Sequence, residues 1–189
     1  MTLHELGIKH NTDKATYHNF CDAYEEYIGN ANVESIIEVG IFDGGSLRMW
    51  SEFFPKAKVI GIDIDRTKFF EDKNIVSYYG DQSEPEVNIL PLVKQYDCDL
   101  FIDDGSHIYS HQIKTFDTIY PNMKLGSFYI LEDLHTSSWR GTIHGTAYDD
   151  TEQTPLEYIK EFIEKYNIDH KFIYDIKLDM VSISLIMIK

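Results

Sequence analysis

The stretch that most constrains the fold is an apolar run that ends abruptly at an acid and a glycine. Residues 35–39 read Ser-Ile-Ile-Glu-Val, Gly40 follows, and two more glycines stand at positions 44 and 45. The amphipathic segment Leu47 to Phe54 comes next, so the pattern predicts a strand, a tight turn and a helix. Such a turn brings glycine backbone and unpaired helix N–H groups to one edge, which is typical of nucleotide binding. The spacing Gly-x-x-x-Gly-Gly differs from the G-x-G-x-x-G of dinucleotide enzymes.

Strand-like segments that end in acidic residues recur along the chain. The predicted strands are residues 35–39, 58–65, 75–79, 99–102 and 124–131, and the helices between them are 47–54, 84–95 and 109–120. This alternation predicts an α/β fold, a Rossmann-like three-layer α/β/α sandwich with a mostly parallel sheet. Ligands of such sheets bind at the carboxyl ends of the strands. We therefore expect one edge to collect Glu38, Asp63, Asp81, Asp104 and Glu132.

The two ends of the chain depart from this alternation. A polar stretch over residues 7–14 precedes an aromatic stripe at helical spacing, which predicts a helix over 17–28 capped near Thr12 or Asp13. After a polar loop over 134–154 come a predicted helix at 155–166 and strands at 170–176 and 180–188. The connection over 177–179 suits a hairpin, so the last of seven strands should run antiparallel. We expect one domain over 1–189, with an N-terminal lid or helix (1–30) and a Rossmann-like core (31–189).

The composition excludes several functional classes. The formal charge of −15 over 189 residues argues against a non-specific nucleic-acid binder, which needs clustered Lys and Arg. Cys21 and Cys98 have no C-x-x-C spacing, which indicates reduced structural thiols in the cytoplasm. No signal peptide opens the chain, and no apolar run approaches the roughly 20 residues of a membrane span. Self-association into a homo-oligomer is left open.

Several motifs resemble those of a known family. Glu38-x-Gly40-x-x-x-Gly44 followed by Asp63 on the next strand resembles the first two motifs of class I S-adenosylmethionine-dependent methyltransferases, whose fold also finishes in an antiparallel hairpin. Three further motifs are similar to the metal-dependent sugar O-methyltransferases that act on rhamnosyl and other deoxysugar groups of macrolides and polyketides: Thr12-Asp13-Lys14, Asp103-Asp104-Gly105-Ser106-His107 and Glu132-Asp133-Leu134-His135-Thr136. The resemblance covers roughly Val33 to Lys189. It implies methyl transfer from S-adenosylmethionine to a sugar hydroxyl.

The resemblance also implies where the cofactor binds. The turn after the first strand would receive its amino-acid end, Asp63 would accept hydrogen bonds from both ribose hydroxyls, and Asp81 and Gln82 would lie near the adenine. A carboxylate suits a vicinal diol because it offers acceptors only. From the residues alone, Asp63, Asp65 and Asp81 could also be turn formers at strand ends. The full set of candidate cofactor-binding residues is Lys14, Glu38, Gly40, Gly44, Ser46, Asp63, Asp81, Gln82 and Asp103.

Asp104, Glu132 and Asp133 form a second group, because adjacent parallel strands would bring their carboxylates together. With no Lys or Arg in either motif, three carboxylates would repel one another unless a hard divalent cation bound among them. An oxygen-only ligand set favours Mg²⁺ or Mn²⁺ over Zn²⁺. The alternative is a set of solvated loop acids on an acidic protein.

His107 follows Asp104 by three residues and could share its site. A sugar hydroxyl is a weak nucleophile at neutral pH, so a metal that polarises it and an imidazole that takes its proton address the same difficulty. We predict His107 and Asp104 as catalytic residues, with His135 as the reserve acid–base candidate.

Other functions remain possible from the sequence. A dinucleotide oxidoreductase should show a tighter glycine motif. A non-haem iron hydroxylase needs a two-His-one-carboxylate triad, usually on a jelly roll, which the alternating pattern does not support. A non-catalytic cofactor-binding module and a catechol-type methyltransferase, which would also use a metal, stay open.

Overall fold

The computed structural model describes residues 1–143, 145–177 and 180–189. Within these residues seven strands form one sheet, and they are β1 (Ser35–Val39), β2 (Lys58–Asp63), β3 (Ile75–Tyr79), β4 (Leu100–Asp103), β5 (Phe128–Leu131), β6 (His170–Lys177) and β7 (Met180–Ile188). The α-helices are α1 (Leu3–Lys9), α2 (Asp13–Thr16), α3 (Cys21–Ile28), α4 (Gly45–Phe53), α5 (Pro85–Asn88), α6 (Leu90–Gln95), α7 (Tyr109–Ile119) and α8 (Pro155–Tyr166). Short 3₁₀ turns lie at Arg66–Lys68, Tyr120–Asn122, Leu134–Trp139 and Gly145–Ala147.

The strand order is β3-β2-β1-β4-β5-β7-β6. The first five strands in this order are parallel, whereas β7 runs antiparallel to both β5 and β6. The predicted mostly parallel sheet with an antiparallel last strand is therefore confirmed. Leu178 and Asp179, where we predicted the hairpin turn, lie outside the described residues. The order reverses between β1 and β4, and in open α/β sheets this switch point is where ligands bind.

Alternating strand residues build two separate cores, one on each face of the sheet. Ile36 packs in a core with side chains of α1, α3 and α4, while its neighbour Ile37 packs with side chains of α6, α7 and α8 on the other face. Successive side chains of a strand point to opposite faces, so a buried strand needs a helical layer on each side. The predicted three-layer sandwich is confirmed. Among the described residues, none of the helices has the length and apolar character that a membrane crossing requires.

The N-terminal region folds differently from its prediction. The sequence pattern missed α1, in which Leu3 and Leu6 are buried and Thr2 and Glu5 exchange capping hydrogen bonds. The helix predicted over 17–28 begins only at Cys21, and α2 precedes it. Tyr17 is 48% exposed and lies outside the buried stripe. In this region polar residues interrupt the apolar spacing, so the sequence pattern does not reveal short helices that tertiary packing stabilises.

The helix predicted over 84–95 is wrong as a single element, because it divides into α5 and α6 at Ile89. Pro91 lies in the first turn of α6 and has no N–H to donate to a preceding helical turn. The predicted helices at 109–120 and 155–166 agree with α7 and α8. These long segments carry strong apolar periodicity.

Candidate functional site

Two adjoining cavities lie along the carboxyl edge of the sheet at the β1–β4 switch point. The larger has a volume of about 490 Å³ and is lined by the turn after β1, by α2 and its preceding residues, and by the loops after β4 and β5. The smaller, of about 340 Å³, extends over the turn after β3. Gly40, Asp63 and Gly105 line both cavities, so the two form one groove.

The turn after β1 can be built only with glycine at its first position. Gly40 has φ of 95°, and a Cβ atom there would overlap the backbone carbonyl of Asp104. Gly44, with φ of 72°, is the N-cap residue of α4. It packs against the ring of Phe70 and does not line the groove. Ser46 does line the larger cavity. The predicted turn is thus present, and it is held against the loop after β4.

Asp63 lies at the centre of the groove. Its Oδ2 accepts a hydrogen bond from the N–H of Ile41 at 2.9 Å, and its Oδ1 accepts one from the N–H of Asp65 at 2.8 Å. Each carboxylate oxygen has a second lone pair, so both can still accept a hydrogen bond from a ligand diol. The placement suits the predicted ribose contact, which stays a prediction.

The residues predicted near the adenine divide into a surface group and a buried group. Asp81 lines the smaller cavity, where its side chain accepts from the N–H of Ser83 at 2.9 Å. The amide of Gln82, also on this cavity, donates to Asp103 at 2.5 Å and accepts from the N–H of Ser106 at 2.8 Å. Gln82 therefore joins the loops after β3 and β4.

Asp103 lies beneath the groove and lines neither cavity. Besides Gln82, the hydroxyl of Tyr129 donates to its carboxylate at 3.2 Å. Burial raises the pKa of Asp103 to about 7, against the opposing effect of the Gln82 hydrogen bond. Because Asp103 does not line the groove, its position does not support the predicted direct contact with a cofactor. Asp103 could act on a cofactor only through the residues that line the groove.

Lys14 has a position that the sequence motifs alone did not reveal. Its ammonium lies 2.5 Å from Asp104 Oδ2, 3.0 Å from Glu132 Oε1 and 3.2 Å from Glu38 Oε1. The lysine side chain is only 1% exposed, and it does not line the groove. We predicted that Lys14 and Glu38 would meet the cofactor, but the structure pairs them with each other inside the protein.

Strand alternation explains which acids meet Lys14. Ile36 and Ile102 pack on the face that α1 and α3 cover, and so does Ile130. Two positions after each of these isoleucines, the chain has Glu38, Asp104 and Glu132 respectively. Residues two apart in a strand lie on the same face, so the three acids lie on the face of Lys14. If each acid is assigned to a strand face by this alternation, Glu38, Asp104 and Glu132 share one face. Asp133, the next residue after Glu132, is separated from them.

One ammonium among three acids gives an uneven charge balance. Burial lowers the pKa of Lys14, but the three carboxylates outweigh it and hold that pKa well above its usual value. Burial raises the pKa of Glu38, and it raises that of Glu132 further because Asp104 and Glu38 add repulsion. The cluster keeps its lysine charged, while the raised pKa values of Glu38 and Glu132 favour the protonated forms of these two acids.

A second cluster faces the larger cavity. Asp104, His107 and Asp133 each present one ligand atom within 4.8 Å of the others, and all three side chains are half-buried. His107 Nε2 lies 3.3 Å from Asp133 Oδ2, whereas His107 Nδ1 is buried. Of the three predicted metal ligands, the structure therefore brings two, Asp104 and Asp133, to the cavity and directs Glu132 to Lys14.

Two more histidines surround Asp133. His135 Nδ1 lies 3.7 Å from Asp133 Oδ1, and burial lowers the pKa of His135. His18 Nε2 lies 3.9 Å from the same oxygen, and its Nδ1 is 2.6 Å from the hydroxyl of Ser182. The larger cavity is lined by Asp13 but not by His135. Sequence reasoning had no signal for Ser182, which reaches the cluster from β7.

The donor atoms present fit both a cofactor and a hard cation. Acceptors at Asp63 and glycine backbone at the β1 turn suit a nucleoside with a charged tail. The carboxylates of Asp104 and Asp133 are oxygen ligands of the kind that Mg²⁺ and Mn²⁺ prefer.

The chain is similar to a described protein family and to several individual proteins. The sequence profile of the family described as Rhamnosyl O-methyltransferase/CmcI matches residues 17–184. The 8-demethyl-8-alpha-L-rhamnosyl tetracenomycin-C 2'-O-methyltransferase of Streptomyces olivaceus is 32% identical over 169 residues, or 84% of this chain and 44% of that protein. Demethylmacrocin O-methyltransferase of Streptomyces fradiae is 31% identical over 173 residues, or 86% of this chain and 44% of that protein.

A solved structure is similar in three dimensions as well. The MycE methyltransferase from the mycinamycin biosynthetic pathway, in complex with Mg, SAH and mycinamycin VI, is 28% identical. It superposes with a TM-score of 0.77 over 97% of this chain and 54% of its own. The chain thus spans about half the length of these proteins. The resemblance expected from the motifs is confirmed, and this chain belongs to the rhamnosyl O-methyltransferase/CmcI family.

Proposed function

We propose that this chain is an S-adenosylmethionine-dependent O-methyltransferase that acts on a sugar hydroxyl with the help of a divalent cation. The observation that carries the proposal is the groove itself. A diol acceptor, Asp63, lies at its centre, and an acid and histidine cluster lies at one end. A methyl donor and a hydroxyl acceptor could therefore meet between the two.

The cofactor would extend along the groove. Its adenine would lie in the smaller cavity near Asp81 and Gln82, and its ribose at Asp63. Its amino-acid end would lie at Gly40 in the turn after β1 and at Ser46 in the first turn of α4. This order follows the lining residues of the two cavities. It leaves the remainder of the larger cavity, beside Asp104 and Asp133, for the acceptor.

Asp104 and Asp133 would hold the divalent cation, Mg²⁺ or Mn²⁺. Such an ion lowers the pKa of a hydroxyl that it contacts. Glu132, the third predicted ligand, lies 3.0 Å from the Lys14 ammonium, so Asp104 and Asp133 are the two predicted ligands that line the cavity. Hard cations prefer oxygen to imidazole nitrogen, so His107 stays free for proton transfer.

His107 would take the proton of the acceptor hydroxyl at Nε2, the nitrogen on the cavity side. The hydroxyl oxygen forms a bond to the methyl carbon as the carbon–sulfur bond breaks, and S-adenosylhomocysteine leaves. Asp133, 3.3 Å from Nε2, would stabilise the imidazolium that results. His135 remains the reserve candidate because it lies behind Asp133 and off the cavity.

The acceptor is inferred from the family description and from the tetracenomycin-C methyltransferase, both of which name a rhamnosyl group. We propose a rhamnose-like or other deoxysugar hydroxyl for this chain. A catechol-type acceptor is the alternative that the same metal chemistry would serve. The cytoplasmic location predicted from the sequence stays a prediction, and self-association stays open.

Methyl transfer to a panel of rhamnosides, other deoxysugar glycosides and catechol, with and without excess EDTA, tests the proposal. We expect turnover of a glycoside that EDTA abolishes and Mg²⁺ or Mn²⁺ restores. Calorimetry should show that S-adenosylhomocysteine still binds in EDTA, because the proposed cofactor contacts at Asp63, Gly40 and Ser46 are made by residues other than the proposed metal ligands. Full turnover in excess EDTA would disprove the metal role, and failure to bind S-adenosylhomocysteine would disprove the cofactor.

A further inference from the structure

We propose that Tyr109 is a positioning residue that fixes the distance between His107 and Asp133. Its buried hydroxyl ties the start of α7 to the loop after β5, and these are the two segments that carry His107 and Asp133. The effect on methyl transfer rests on the proposed function. The positioning itself depends only on contacts among the described residues.

The Tyr109 side chain reaches from one segment to the other inside the protein. Tyr109 is 0% exposed, and its hydroxyl donates to the backbone carbonyl of Thr136 at 2.6 Å. Thr136 in turn donates twice to the carbonyl of Asp133, from its N–H at 3.1 Å and from its hydroxyl at 2.9 Å. Consecutive hydrogen bonds therefore connect Tyr109 to the backbone of Asp133.

A second side chain of α7 anchors the other side of Asp133. Gln112 follows Tyr109 by three residues in α7, is also 0% exposed, and donates from Nε2 to the carbonyl of Glu132 at 3.1 Å. Side chains three residues apart are neighbours on one face of a helix. One face of α7 therefore holds the backbone on both sides of Asp133.

The start of α7 is itself held from outside the helix. Its N-cap residue, Ile108, has no side-chain oxygen that could accept a hydrogen bond from the first turn. The N–H of Tyr109 instead donates to the carbonyl of Tyr148 at 3.0 Å. His107 precedes Tyr109 by only two residues, so this fixed helix start also fixes the backbone from which the imidazole projects.

The contact between His107 and Asp133 needs such support because both backbones are strained. Their φ values are 57° and 56°, in the left-handed region that side chains disfavour. Nε2 of His107 nevertheless lies 3.3 Å from Oδ2 of Asp133. Without the link through Tyr109, relaxation of either backbone would carry the imidazole and the carboxylate apart.

Tyr109→Phe in the full chain tests the proposal, because it removes the hydroxyl and keeps the ring. In protein labelled with ¹³C-histidine, the ring signal of His107 is identified by its loss in His107→Ala. At fixed pH we expect Tyr109→Phe to shift and broaden this signal. Calorimetry should show unchanged affinity for S-adenosylhomocysteine, since Tyr109 does not line the groove.

The kinetic expectation is a change in kcat without a change in KM. For methyl transfer to the glycoside that the acceptor panel selects, kcat should fall roughly 10–100-fold, because a displacement on the order of 1 Å at reacting groups has effects of this size. The KM for S-adenosylmethionine should stay the same.

Tyr120→Phe is the matched control. Tyr120 is 2% exposed, and its hydroxyl also donates to a backbone carbonyl, that of Ile188, at 3.0 Å. Each variant loses one hydrogen bond of this kind, so both should lower the urea midpoint of unfolding by similar amounts. Tyr120→Phe should leave the His107 signal and kcat unchanged, which separates positioning from general stability.

A double variant shows whether Tyr109 acts through His107. Tyr109→Phe should slow His107→Ala much less than it slows the unchanged protein, since the imidazole to be positioned is already absent. An equal loss of kcat in both backgrounds would overturn the proposal.

The outcomes also separate this inference from the proposed function. A His107 signal that is unchanged in Tyr109→Phe, or that changes equally in Tyr120→Phe, overturns the positioning role. If the signal changes as expected but the unchanged protein transfers no methyl group, the proposed function fails and the positioning role stands.

Discussion

At the scale of single residues, the cavity cluster depends on backbone conformations that side chains rarely adopt. His107 and Asp133 are both left-handed, with φ of 57° and 56°. Such conformations cost on the order of 1–3 kcal/mol each and persist where the surrounding structure enforces them. Here they bring His107 and Asp133 within 4.8 Å of Asp104. The two strained residues are the ones with roles in the proposed chemistry: Asp133 would bind the ion, and His107 would take the proton.

His107→Ala tests which of the two tasks His107 has. If it is the base, the rate of methyl transfer should fall by roughly 10²–10⁴, the usual contribution of a positioned base, while Mn²⁺ affinity stays unchanged. His170→Ala, on β6, is the control and should leave both quantities unchanged. A loss of Mn²⁺ affinity in His107→Ala would instead make His107 a metal ligand and pass the proton to His135 or to water.

The sequence predicted the identity of these residues better than their pairing. Asp104, His107 and Asp133 stand in recognisable motifs, so they could be selected without a structure. The contact of Lys14 with Glu38 spans regions that are remote in sequence, and no local pattern contains it. Only the position of each acid relative to the face of its strand would have indicated that Glu132 turns toward the N-terminal helices.

At the scale of elements, the site is a contact between the turn after β1 and the loop after β4. Gly40 packs directly on the Asp104 carbonyl, so these two connections cannot move apart independently. The parallel pairing of Val39 with Asp103 continues this contact from the sheet. The proposed cofactor turn and the proposed metal ligand therefore share one wall.

Gly40→Ala should disturb both halves of the site. Its φ of 95° is unfavourable for alanine, and the new Cβ would overlap backbone that holds Asp104. We expect a loss of about 3 kcal/mol in the free energy of unfolding, measured in urea, together with weaker binding of both S-adenosylhomocysteine and Mn²⁺.

Gly126→Ala is the matched control for this substitution. Gly126 has a similar φ of 82°, but nothing lies within 4 Å of a Cβ placed there. It should cost about 1 kcal/mol through backbone strain alone and leave ligand binding intact. Equal losses in the free energy of unfolding of the two variants would show that the protein accommodates the overlap with Asp104 at no additional cost.

Elements with strong periodicity could be predicted, and those that tertiary packing stabilises could not. The strands of the sheet and α7 and α8 follow from apolar patterning and clear ends. In contrast, α1 is a seven-residue helix that buries only a few apolar side chains against the core. Helices this short are marginal in isolation, so their sequences carry little signal.

At the scale of the whole molecule, the sheet divides the interior into two layers, each of which contains one thiol. Cys21 packs with the N-terminal helices, and Cys98 packs on the opposite face. Burial raises the pKa of Cys21 to about 12 and raises that of Cys98 further. Because the thiolate is the reactive form, both should be inert in the folded protein.

A disulfide exchange reagent at pH 8 measures this directly. Neither thiol should react on the time scale of minutes in the native protein, and both should react at once in denaturant. Mass spectrometry of the labelled peptides distinguishes the two positions. Rapid labelling of Cys21 alone would mean that residues 1–30 open as a lid while the core stays closed.

The position of Lys14 has a consequence for anyone who cuts this protein into pieces. The family profile begins at residue 17, three positions after the lysine. A fragment expressed from that boundary would contain β1 to β7 together with Asp104 and Asp133. It would nevertheless lack the ammonium that Glu38, Asp104 and Glu132 share. A fragment that keeps this ammonium with its carboxylates must therefore start upstream of the residues that the family profile matches.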